Sequence, residues 1–127
     1  MESTFSGMDW LRIAGGLGFL GVGLGAFGAH ALKAKVPPEM LTVWHTGVLY
    51  HLIHALVLLA LALFAKVSGA DIRWGARFFA VGILLFSGSL YAMTLTGIKS
   101  LGAITPLGGV AFLLGWGWVV LRLAARP

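Results

Sequence analysis

The chain has 127 residues, of which 59% are hydrophobic and 10% charged, and its mean hydropathy is +0.96. Roughly a quarter of the residues of a soluble domain are charged, so this composition excludes a protein whose main solvent is water. The net charge of +5 would point to nucleic acid in a soluble protein. Here the basic residues stand at the ends of apolar stretches, where they orient a membrane protein, and nucleic acid is not an expected partner.

Four stretches are long and apolar enough to cross a bilayer, at about 13–32, 40–65, 78–98 and 104–121. Short connections force neighbouring helices to run antiparallel. The expected fold is therefore all-α: a single up-down-up-down domain of four transmembrane helices filling residues 1–127, with the lipid bilayer as its surroundings.

The first stretch ends in Ala29-His30-Ala31, which imitates a signal-peptide cleavage site. The run is longer than a typical signal core, and Glu2 and Asp9 spoil the basic leader, so it reads as the first span. At 100° per residue Gly18, Gly21, Gly25 and Gly28 fall within about 80° of one another, a smooth stripe for close helix packing. Packing inside the bundle is the simpler use of that stripe, and contact with a second copy is the other.

Pro37 and Pro38 end the next connection. Pro38 and Glu39 suit the first turn of the second helix, one by its fixed φ and the other by its charge. From Pro38 to Ala65 this helix would be about 42 Å long, more than a hydrocarbon core of about 30 Å, so its first turns protrude or tilt. Residues 66–77 read as a loop rich in lipid-anchoring basic residues, broken at Ser68-Gly69-Ala70-Asp71. The third span carries Ser87 and Ser89, whose hydroxyls more often bond back to their own helix than across to a neighbour. Thr105-Pro106 suits the start of the fourth helix, with Thr105 as the cap, which leaves 101–104 as an apolar loop at the interface.

The charges orient the bundle. With the N-terminus cytoplasmic, the inside holds Arg12, Lys66, Arg73, Arg77, Arg122 and Arg126, and the outside only Lys33, Lys35 and Lys99. Both termini are thus expected in the cytoplasm. Trp10, Trp74, Trp116 and Trp118 fall near the inner boundary and Trp44 near the outer one, as interfacial rings.

Ionisable groups within spans are costly and mark candidate sites. Here they are histidines: His30 ends the first span, and His45, His51 and His54 lie on the second. His51 and His54 share a face, whereas His45 points about 120° away from His51. The four are metal or haem candidates by imidazole chemistry. The ligand set is incomplete, because there is no cysteine or His-Glu-x-x-His pattern and the only outer carboxylate is Glu39. No cofactor is therefore expected. Histidine could also move protons, but the spans hold no acidic residue for a carboxylate relay. Without such a residue no catalytic triad can form, and no enzymatic activity is expected.

Four segments in order resemble a known family: 25–32 (Gly-Ala-Phe-Gly-Ala-His-Ala-Leu), 50–56 (Tyr-His-Leu-Ile-His-Ala-Leu), 85–91 (Leu-Phe-Ser-Gly-Ser-Leu-Tyr), and 104–109 (Ile-Thr-Pro-Leu-Gly-Gly) followed by Gly115-Trp116. The chain resembles the domain of unknown function 423 family, which includes transmembrane protein 256, over nearly its whole length. The resemblance implies a small multi-pass protein of the bacterial inner membrane and carries no established activity. It also implies that His30 and His54 stand at family positions, and that relatives often carry glutamine in place of His51. Glutamine can keep a hydrogen bond but is a poor metal ligand. The site it suggests is a polar network of His30, Tyr50, His54, Ser87, Ser89 and Thr105 joining helices near the outer face.

Three functions follow as expectations. The leading one is an accessory or scaffolding subunit packing as a homo-oligomer or against a larger membrane complex. The second is a transporter or channel for a small solute, proton or metal, acting as an oligomer. The third is a histidine-based metal-, haem- or lipid-binding protein.

Overall fold

A computed structural model describes residues 7–125. Glu2 and Arg126 lie outside the described residues. Helix α1 covers Gly7–Phe27 and passes into a π turn over Gly28–Leu32. Helix α2 runs over Pro38–Ser68. Helix α3 runs over Arg73–Gly82, passes through a π turn at Ile83–Ser87 and continues over Gly88–Thr96. Helix α4 covers Thr105–Trp118 and ends in a π turn at Val119–Leu123. The four helices are long and apolar enough to cross a membrane.

The helix ends follow local chemistry. Pro38 occupies the first turn of α2 with Glu39 beside it, as expected. Gly69 closes α2 and Gly97 closes α3, each at φ +75° with its N–H on the carbonyl four residues back. Only glycine adopts that left-handed cap without a Cβ penalty. Two expectations about ends are corrected. The 66–77 loop shrinks to the four residues between Ser68 and Arg73, with Asp71 accepting the backbone N–H of Arg73 (3.1 Å) in a turn just before α3. Thr105 does not cap α4: Ile104 stands at that position, and residues Lys99–Ala103 form a 3-10 turn instead of an open loop.

Helices α2 and α3 form the middle of the bundle, with α1 lying along α2 and α4 along α3. Of the apolar stretches of α2 and α3, 39% is buried in each, against 17% for α1 and 22% for α4, so the flanking helices keep most of their surface for lipid or for partners.

Much of the glycine stripe on α1 faces α2. Successive turns of the two helices match: a Cβ at Gly21 would lie 2.5 Å from Leu52, at Gly25 3.2 Å from Val48, and at Gly28 2.5 Å from Trp44. Close backbone approach supplies the dispersion contacts that hold helices together in lipid. Gly18 does not join them, since nothing lies within 4 Å of its Cβ position.

The apolar core falls into two clusters. One, around Leu58, Phe79, Ile83 and Phe112, fills the end that carries the termini, and the other, around Leu32, Trp44 and Val48, fills the opposite end. His51 and His54 stand on α2 between the two. Trp10 and Trp44 belong to these clusters, with 7% and 1% of their surface exposed. Their expected place as interfacial rings is thereby corrected, whereas Trp74, at 58% exposed, keeps that character.

Candidate functional site

The polar layer is built from side chains that reach across to neighbouring helices. His51 is buried on α2, with Nε2 2.8 Å from the Leu17 carbonyl oxygen of α1 and Nδ1 2.8 Å from the Tyr91 hydroxyl of α3. A carbonyl only accepts, so Nε2 carries the hydrogen and Nδ1 accepts from the Tyr91 O–H. One neutral tautomer thus ties three helices. Gly21 makes room for this ring, because a Cβ there would stand 3.3 Å from the His51 Cδ2.

Further ties follow the same logic. The Trp44 indole donates to the Leu24 carbonyl (2.9 Å), while its ring lies against Tyr91 with centroids 4.7 Å apart. Ser87, fully buried, donates across to the Gly47 carbonyl at 2.7 Å, which overturns the expectation that it bonds back along its own helix. Its α3 π turn sits where that backbone is held between Gly47 of α2 and Gly108 of α4, whose missing Cβ admits the Phe86 backbone. Ser89 does bond back, donating to the Phe86 carbonyl at 2.9 Å; with its one hydrogen so used, it accepts from the Thr105 hydroxyl at 2.6 Å.

His54 forms the floor of a second feature. Its Nδ1 lies 2.8 Å from the Tyr50 carbonyl of the preceding turn and therefore carries the hydrogen, while Nε2 accepts the Trp116 indole N–H at 3.2 Å. This is the opposite tautomer to that of His51. The imidazole stacks on Phe112 with centroids 3.7 Å apart and planes 9° from parallel, and Phe79 and Tyr50 complete an aromatic box. Beside it a cleft of about 470 Å³ separates α2 from α4, walled by Tyr50, Phe86, Val110, Phe112, Leu113 and Trp116. Gly109 keeps the wall low, since nothing lies within 4 Å of its Cβ position. Exposed Val110 and Leu113 mark the side on which the cleft opens to the hydrocarbon.

The six side chains of the expected network do not join. Ser89 and Thr105 pair, Tyr50 stacks on His54, Ser87 bonds to Gly47, and His30 is exposed in the last turn of α1. The physical reason is that each buried polar atom is satisfied by the nearest helix rather than by a shared centre. His45 is exposed as well, so the four histidines do not converge. Among the described residues no group of three or more metal-ligating side chains is close enough to hold an ion. Both ring nitrogens of His51 and of His54 are engaged in the bonds above.

Three participants were missed from sequence: Tyr91, Trp44 and Trp116. Trp116 had a readable signal. It stands eleven residues beyond Thr105, about 17 Å along the helix, which is the middle of a layer about 30 Å thick and not its boundary.

Comparison with known proteins agrees with this architecture. Residues 24–109 match the family described as protein of unknown function (DUF423). The UPF0382 membrane protein YwdK of Bacillus subtilis is 54% identical over 104 residues, covering 80% of this chain and 85% of that protein. The chain belongs to the DUF423 family. Other relatives of this DUF423 protein are UPF0382 membrane proteins of Staphylococcus aureus (43% identical, 76% of this chain and 80% of that protein) and Staphylococcus saprophyticus (42%, 80% and 85%). No solved structure matches. With four apolar helices and relatives called membrane proteins, this is a multi-pass membrane protein of an uncharacterised family. The DUF423 match takes in His51, His54, Ser87, Ser89, Tyr91 and Thr105, and ends before Phe112 and Trp116, which close the aromatic box.

Proposed function

We propose that this DUF423 protein is an accessory or scaffolding subunit of the bacterial cytoplasmic (inner) membrane, packing laterally against itself or a larger membrane assembly. One observation carries the reading: the polar side chains of the bundle interior are spent on ties between its own helices, as at His51, His54, Ser87 and Ser89. A core closed in this way is suited to hold a shape. Carrying an ion through it would require breaking bonds that fix both tautomers, so transport has less support.

The surfaces available for packing are on the flanking helices. Gly15, Gly16 and Gly23 of α1 are exposed with nothing near their Cβ positions, beside Phe19 and Val22 at 81% and 65% exposed. Phe19 stands one turn from both Gly15 and Gly23 on this face, so a partner helix would pack around its ring, with glycine leaving room on either side. For orientation, Arg12, Lys66, Arg73, Arg77 and Arg122 gather at one end of the bundle, against Lys33, Lys35 and Lys99 at the other, which supports cytoplasmic termini. The cleft beside His54 favours one second reading, lipid binding: its apolar walls fit an acyl chain, and the Tyr50 hydroxyl at its edge has no hydrogen-bond partner among the described residues.

The test is extraction in mild detergent at native abundance, followed by measurement of particle mass. An assembly larger than the 13.4 kDa chain plus its detergent is expected. A monomer with no co-purifying subunit would remove the support for scaffolding.

A further inference from the structure

A second cavity, of about 610 Å³, lies at the end of the bundle that carries the termini, between the first turns of α3 and the last turns of α4. Its walls are graded. Phe78, Trp118 and Leu121 make an apolar side, and Trp74, Asp71 and Arg122 make a polar mouth. Trp118 packs against α3 where Gly75 has no Cβ to hold its ring away. The spanning stretch of α3 begins at Arg73 and that of α4 ends at Leu123, so the cavity stands at the depth where hydrocarbon gives way to headgroups.

The charges there are not balanced. Among the described residues this end has five cations, Arg12, Lys66, Arg73, Arg77 and Arg122, against the carboxylates of Asp9 and Asp71. Arg12 pairs with Asp9 at 3.9 Å and Arg73 with Asp71 at 3.0 Å, while Arg77 lies 4.9 Å over the Trp74 ring. The hydrogen-bonded Arg73 side chain, with its backbone N–H, holds the Asp71 carboxyl below the usual carboxylate range, so it stays an internally paired anion. Arg122 lines the cavity and has no acidic partner among the described residues.

We infer that this cavity seats an anionic phospholipid, its phosphate on the Arg122 guanidinium and its first chain methylenes along Phe78, Trp118 and Leu121. Guanidinium matches phosphate in charge and fork geometry. Interfacial tryptophans fit the glycerol level, and the apolar wall, continuous with the bilayer core, selects a lipid over a soluble phosphate.

The experiment places the full-length protein in phosphatidylcholine vesicles containing brominated phosphatidylglycerol or, in parallel, brominated phosphatidylcholine, and reads quenching of tryptophan fluorescence. Phosphatidylglycerol is expected to quench at roughly fivefold lower mole fraction, the effect of one basic residue at a membrane surface. In Arg122→Gln that preference should fall to the phosphatidylcholine level, while Lys66→Gln, which removes a cation of the same end outside the cavity, should keep it. Equal quenching by the two lipids in the wild-type protein would overturn the inference even if Arg122→Gln did not fold. Equal losses in Arg122→Gln and Lys66→Gln would overturn it in favour of diffuse attraction. Displacement of the quencher by millimolar glycerol phosphate would overturn it in favour of a soluble anion.

Discussion

Histidine inside a membrane is tolerated when it stays neutral and both ring nitrogens are satisfied, and His51 and His54 meet that condition with opposite tautomers. The junction at His51 has the larger structural reach, since its hydrogen bonds join α2 to both α1 and α3. A double-mutant cycle on His51→Ala and Tyr91→Phe, read by unfolding in detergent, should give a coupling of about 0.6–1.7 kcal/mol, the range for interhelical hydrogen bonds in membranes. His51→Gln should stay close to wild type, because an amide can donate to the Leu17 carbonyl and accept from Tyr91. Zero coupling would mean that the two side chains are neighbours without a bond. At His54, Trp116→Phe removes the indole donor to a buried Nε2 and should cost about 1–3 kcal/mol by the same measurement; an unchanged stability would argue that lipid or water satisfies the nitrogen.

At the scale of helices, glycine decides which surfaces meet. Gly28→Ala would drive a methyl group into Trp44, which is 1% exposed and anchored by its bond to the Leu24 carbonyl, so a loss of about 1–3 kcal/mol is expected. Gly18→Ala meets open space and should be neutral or stabilising by up to about 1 kcal/mol through helix propensity. Thermal unfolding of the two variants separates them, and equal effects would contradict the α1–α2 interface. The spans and the start of α2 were legible because hydropathy and proline act locally. The role of Gly18 was not, because the four glycines lie within one stripe and only the path of α2 decides which of them it touches. Thr105 was misjudged for a similar reason: a capping hydroxyl and an interhelical one look identical in sequence, and the nearness of Ser89 decides between them. Ser87 reaches the Gly47 carbonyl where the missing Cβ of Gly47 lets Leu90 and Tyr91 of α3 lie close to α2, a complementarity that no single segment contains.

At the scale of the molecule, the middle helices are closed to one another and the flanking helices are open. The interior explains how so small a chain keeps a defined shape, and the exterior is where the proposed lateral packing must occur. Because the chain has no cysteine, each introduced thiol is unique, and glycine positions with open space around the Cβ site can accept one. Single substitutions Gly16→Cys and Gly23→Cys on α1, and Gly109→Cys and Gly117→Cys on α4, would be oxidised in native membranes at native abundance and resolved by mass. The scaffolding account expects a cross-linked dimer, or an adduct with another membrane protein, from at least one of these faces, and none from Gly28→Cys, which is covered by Trp44. Monomer from all four open positions would contradict it.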